Sequence, residues 1–217
     1  MLEIVLLLFV ALLLLLQAKI SIWNSKLVDT RVLTLEEKLD LLTECGFKLN
    51  TPFTVENLLA SWPRNEFEKP GFSLVLVSLG MTEEQEPWGN HCTNLWHMDS
   101  ECIEDHGDYK ELTQRMVEIT QGSLPLENIQ DFIDVEKKEA WVSFSFKGRE
   151  FKITCRVNDD WVDPDFFGKL VELLQTADPD KIFVHFDLGG QDCLLGCVTR
   201  DQFEMLLKQG IEFAPLI

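Results

Sequence analysis

The residue pattern points to an α+β protein: an antiparallel sheet built from hairpins and packed with helices, preceded by an amino-terminal apolar helix. Two observations carry this. Between Trp141 and Val157 apolar and polar residues alternate, with Val142, Phe144 and Phe146 against Ser143 and Ser145. The alternation resumes after Lys147-Gly148, with Phe151, Ile153, Cys155 and Val157 against Lys152, Thr154 and Arg156. A period of two around a glycine-containing turn is a β-hairpin with one buried face. The second observation is helix punctuation. Thr34-Leu35-Glu36-Glu37 and Thr199-Arg200-Asp201-Gln202 are capping boxes, in which a hydroxyl and a Glu or Gln three residues on satisfy two orphan backbone N–H groups.

In chain order, Ile4 to Leu16 is an unbroken apolar run, with Glu3 before it and Lys19, Lys26 and Arg31 after it. Residues 1–23 read as a membrane anchor, crossing through residues 2–22, or as a signal; residues 24–33 are a linker. The positive charge after the run predicts a single pass through the inner membrane with the body cytoplasmic. Cleavage of a signal gives the alternative, a secreted or periplasmic body. Residues 34–217 form an acidic globular domain with a possible sub-boundary near 123.

Thr34 opens a helix with Leu35, Leu39 and Leu42 on one face, stopped by Gly46, and Thr54 caps a shorter helix that Pro63 closes. Phe72 to Leu79 is almost continuously apolar and reads as a buried central strand. Thr82 to Asp108 shows no apolar period, and a helix follows from about Tyr109 to Gln121. Ile129 to Val135 is a third strand beside the hairpin. Asp163 as N-cap and Pro164 at the first helical position open a helix burying Phe166, Phe167, Leu170 and Leu174. Ile182–Phe186 and Cys193–Val198 pair across Gly189-Gly190. The carboxy-terminal half therefore reads β-β-β-α-β-β-α.

Charge narrows the function. The chain carries −18. Up to Thr34, Lys19, Lys26 and Arg31 against Glu3 and Asp29 give +1, which leaves −19 on the rest. Nucleic acid is excluded as a partner on this balance, because phosphate binding needs clustered Lys and Arg. A basic protein partner fits it. Thr82 to Asp108 holds Glu83, Glu84, Glu86, Asp99, Glu101, Glu104, Asp105 and Asp108 without one Lys or Arg, and it includes Trp88 and Trp96. Asp159, Asp160 and Trp161 repeat the combination. Aromatic anchors for affinity and carboxylates for steering are what a binding surface for a basic protein needs. The candidate partner-binding residues are Glu83, Glu84, Glu86, Trp88, Trp96, Asp159, Asp160 and Trp161.

His91, Cys92, His97, Cys102 and His106 form a second candidate, since zinc takes four His or thiolate ligands and short spacings let one loop fold over an ion. Their spacing lacks a Cys-x2-Cys or His-x3-His unit. The aspartates from Asp159 fail the calcium-loop pattern, with Pro164 and Leu170 where Gly and Glu belong. No Gly-x-Ser-x-Gly, His-Glu-x-x-His or Walker pattern occurs. The six cysteines are spread along a chain with ample core, which favours reduced thiols.

Trp141 to Leu174, with its Asp160-Trp161-Val162-Asp163-Pro164 turn, and Gly189-Gly190-Gln191-Asp192 resemble bacterial proteins of unassigned function. Such small acidic α+β proteins are similar in character to immunity proteins that neutralise basic toxin nucleases. The likeness covers about half the chain and carries over no functional residue. It implies a non-catalytic protein-binding protein of inhibitor or immunity type. The alternative is a zinc-binding protein or metal-dependent hydrolase using the His91–His106 cluster.

Overall fold

The computed structural model describes residues 32–216. The apolar segment read as anchor or signal, and nearly all of the linker, lie outside them. Among the described residues no helix is long and apolar enough to cross a membrane. The chain divides between Leu33 and Thr34, and the architecture below is that of the second unit.

Thr34 opens α1 (Leu35–Glu44) through both halves of its capping box, Glu37 N to Thr34 Oγ1 at 3.2 Å and Thr34 N to Glu37 Oε2 at 2.9 Å. Gly46, at φ +98°, ends the helix, and Phe47 N reaches back to Leu42 O at 2.8 Å. Lys38 lies on the buried face beside Leu35, Leu39 and Leu42. Its Nζ donates to the carbonyls of Phe67, Lys69 and Gly71 at 2.7, 2.5 and 2.6 Å. Burial pushes its pKa down, and three carbonyl acceptors offset what a buried ammonium costs. After α2 (Val55–Ser61), Lys38 thereby ties α1 to the end of α3 (Arg64–Phe67) and to the turn between α3 and α4 (Ser73–Gly80).

The segment expected to be a central strand is α4, a helix, and this corrects the sequence reading. A short continuous apolar run fits either state, and periodicity does not separate them. Leu-rich composition favours helix, and α4 is covered on several sides by α1, α3, β3 (Leu95–Asp99) and β8 (Asp192–Thr199). A helix apolar all round belongs in such a place. The acidic stretch before α5 (Asp108–Ile119) also has structure: β1 (Thr82–Glu83) pairs with β2 (Gly89–Asn90), and β3 joins a sheet.

From β4 (Glu127–Asp134) through β5 (Glu139–Phe146), β6 (Arg149–Cys155), α6 (Pro164–Ala177), β7 (Lys181–Asp187) and β8 to α7 (Arg200–Lys208), the order is the expected one; β9 (Ala214–Pro215) closes the chain. The strands make separate antiparallel sheets rather than one. Besides the β1–β2 pair these are β4-β5-β6 and β3-β8-β7-β9. The β5–β6 turn places Lys147 at φ +50° and Gly148 at φ +72°, a two-residue type I′ geometry. Its register sets Val142 opposite Ile153 and Phe144 opposite Phe151.

The four-stranded sheet separates two apolar cores. Leu194, Val198 and Val184 face α1, α4 and α7, with Leu35, Leu76 and Leu206. Leu195, Cys197 and Phe183 face α5, α6 and the second sheet, with Met116, Phe144 and Phe166. Each core draws on both sides of residue 123.

Candidate functional site

The two acidic segments that lie far apart in sequence run side by side. Glu101 and Trp161 form an antiparallel bridge, Val162 N donates to Ser100 O at 2.9 Å, and Ile103 N donates to Asp160 O at 2.9 Å. A third turn joins them. Ser100 N and Oγ both donate to Gln191 O, at 3.0 and 2.7 Å, and Gln191 Nε2 donates to Asp99 Oδ2 at 3.0 Å. One surface therefore carries Asp99, Glu101, Asp160 and Asp192, with Trp161 38% exposed.

Two thiols beneath it register the field. Cys102 is pushed up to about 11, first by burial and then by Asp99, Asp108, Cys193 and Asp160. Cys193 is pushed up to about 11 by burial, then by Asp187, Asp192 and Asp99. Nearby negative charge disfavours a thiolate, so between them the two thiols sense carboxylates from all three turns, Cys102 from the Asp99–Asp108 stretch and Asp160, Cys193 from Asp99, Asp187 and Asp192.

Some of these acids have local structural work. Asp99 Oδ1 accepts from Glu101 N at 2.9 Å, and Asp187 Oδ1 accepts from Gly189 N at 2.8 Å. Asp108 Oδ2 accepts from Glu104 N and Asp105 N at 2.6 and 2.7 Å. These bonds hold the turns but leave the charge uncancelled. Among the described residues, none of Asp99, Glu101, Glu104, Asp105, Asp108, Asp159, Asp160 and Asp187 pairs with a Lys or Arg.

Asp163 ends the surface. Burial raises its pKa, but bonds from Arg156 N, the Arg156 guanidinium and Asp165 N outweigh this and hold the carboxyl below its usual range. Asp163 N donates to the hydroxyl of Tyr109 at 3.0 Å, which anchors the Asp159–Asp165 turn to α5.

The partner-binding residues expected from sequence divide into two groups. Asp159, Asp160 and Trp161 belong to the surface just described. Glu83, Glu84, Glu86 and Trp88 belong to the β1–β2 hairpin, which precedes β3, whereas the surface follows it. Trp88 is 68% exposed. Trp96, on β3 between the groups, is partly buried against the α5 core. Asp99 and Glu101 come from the acidic stretch that the sequence offers as a contact segment, whereas Asp187 and Asp192 are neighbours that sequence reading did not single out. The signal for the last two was acidic flanks on the Gly189-Gly190 turn.

The five residues expected as zinc ligands occupy different settings. His91 is buried; its Nδ1 donates to Ser78 O at 2.7 Å and its ring meets Phe53 edge-on. Its Nε2 is buried without a hydrogen-bond partner, with Glu83 Oε2 3.9 Å away. Cys92 is buried, donates to Asn94 Oδ1 at 3.3 Å, and is pushed up to about 11 by burial. His97 Nε2 lies 3.6 Å from Asp192 Oδ1, Cys102 is under the acidic surface, and His106 lies against Phe132. Among the described residues no group of three or more His, Cys, Asp and Glu is arranged to hold a metal ion. All six thiols are free, and burial raises each one's pKa, which favours the protonated thiol over the thiolate.

Comparison with protein-family models, with curated proteins and with solved structures finds no match to this chain.

Proposed function

We propose that this is a non-catalytic protein-binding protein whose acidic surface, centred on Asp99–Ile103 and Asn158–Val162, engages a basic protein in an inhibitor- or immunity-type role. The observation that carries the reading is the backbone pairing of two acidic segments into one surface whose carboxylates have no Lys or Arg partner among the described residues. Unpaired carboxylates held at fixed positions steer a basic partner and set its register. Trp161, flanked by Asp159 and Asp160, supplies apolar area of the kind that dominates interface energies. A membrane tether through residues 2–22, with the body cytoplasmic, rests on the apolar run and the basic residues after it.

The test is binding of an arginine-rich peptide to the full chain and to a Glu101→Lys, Asp160→Lys variant at low and high salt. The wild type should lose about tenfold in affinity as the Debye length falls from roughly 10 Å to 3 Å. The variant should bind more weakly at low salt and show a flatter salt response. Equal affinity in the two proteins would remove the basis for the reading.

A further inference from the structure

A cleft of about 350 Å³ opens between β3 and α5, lined by Trp96, Cys102 and the α5 residues Asp108, Glu111, Leu112, Gln114, Arg115 and Glu118. Its composition differs from the open acidic surface beside it. Trp96 and Leu112 belong to or pack on the apolar core, so the floor is fixed and apolar. Three carboxylates, Asp108, Glu111 and Glu118, stand around that floor with one cation, Arg115. That cation is engaged through its terminal nitrogens, Nη1 lying 3.0 Å from Glu118 Oε2 and Nη2 donating to Leu95 O at 3.4 Å, while its Nε is buried without a hydrogen-bond partner and its guanidinium carbon is 6.0 Å from the Trp96 ring. Asp108 spends one oxygen on the backbone of Glu104 and Asp105. Glu111, exposed in the first turn of α5, has no Lys or Arg partner among the described residues.

From this we infer that the cleft is the specificity pocket of the acidic surface, and that it receives one arginine or lysine side chain of the basic partner. The inference rests on the protein-binding reading above. An aliphatic stem lies against Trp96 and Leu112 while the charged head meets Glu111 and Asp108, the division that long basic side chains make between apolar and polar surroundings. The net negative lining favours a cation. Cys102, at the edge of both features, joins the cleft to the surface, so one partner can cover the two together.

The probe is a blocked five-residue peptide with a single arginine, added to the full chain in neutral detergent while the tryptophan indole N–H resonances are followed. The Trp96 resonance, assigned from Trp96→Phe, should move to saturation. In a Glu111→Gln, Gln114→Lys variant, which changes only exposed positions of α5, it should need about tenfold more peptide. A Trp96 resonance that stays still, or that titrates identically in the variant, overturns the pocket; movement of Trp161 alone would do so while leaving the acidic-surface reading intact. Equal binding of free arginine amide overturns the assignment to a partner's side chain.

Discussion

Asp163 shows how one carboxylate serves several levels of this molecule. It caps α6 through Asp165 N at 3.2 Å, receives Arg156 N at 2.7 Å and pairs with the Arg156 guanidinium at 3.0 Å. Its backbone is held by Tyr109, the single tyrosine of the chain. Because the folded carboxyl titrates below its unfolded value, its contribution is complete above about pH 4, the ordinary aspartate value. The contribution is lost as pH falls through the lower folded value. Asp163→Asn should therefore cost about 2 kcal/mol near neutrality, the combined loss of a cap and a charged hydrogen bond. The gap to wild type should shrink as pH drops below about 4. Denaturant midpoints at neutral and acid pH check this; a gap independent of pH would assign the loss to packing.

At the scale of elements, legibility followed how uniquely a pattern selects one structure. The β5–β6 hairpin was readable because its alternation has one buried face and its Lys147-Gly148 turn demands positive φ. The caps at Thr34, Asp163 and Thr199 were readable because the capping residue precedes the helix it opens. α4 and β8 look alike in sequence, both apolar without a period, and both are buried on more than one side. Their environment, not their pattern, makes one a helix and the other a strand. β3 was hidden because its partner β8 is remote in sequence, with Leu95 opposite Gly196. The candidate site was half legible. Its residue types stood out, but the bridge between Glu101 and Trp161 is a tertiary fact.

Close approach at α4 gives an element-scale prediction. A Cβ on Gly80 would stand 2.8 Å from His97 N, a backbone atom of β3, whereas one on Gly196 would meet the Phe47 ring at 2.9 Å. A ring can shift more easily than a sheet backbone. Gly80→Ala should therefore destabilise by about 2 kcal/mol or more, and Gly196→Ala by less. Chemical denaturation of the two variants decides it, and the reverse order would mean that α4 moves freely over β3.

For the whole molecule, two apolar cores on opposite faces of one four-stranded sheet fix the position of every turn at its ends. The turns after β3, between β7 and β8, and before α6 converge because their strands and helix share that framework. A net charge of −18 would attract any basic protein weakly. The central claim is that the arrangement, not the total, recognises the partner. The direct measurement compares two variants of equal charge for affinity to the same arginine-rich peptide. One is Glu101→Lys with Asp160→Lys; the other is Glu44→Lys with Glu212→Lys, both exposed positions outside the acidic surface. The account predicts that the first pair weakens binding by about tenfold and the second by less than about twofold. Equal loss in both would contradict it, leaving attraction by net charge alone.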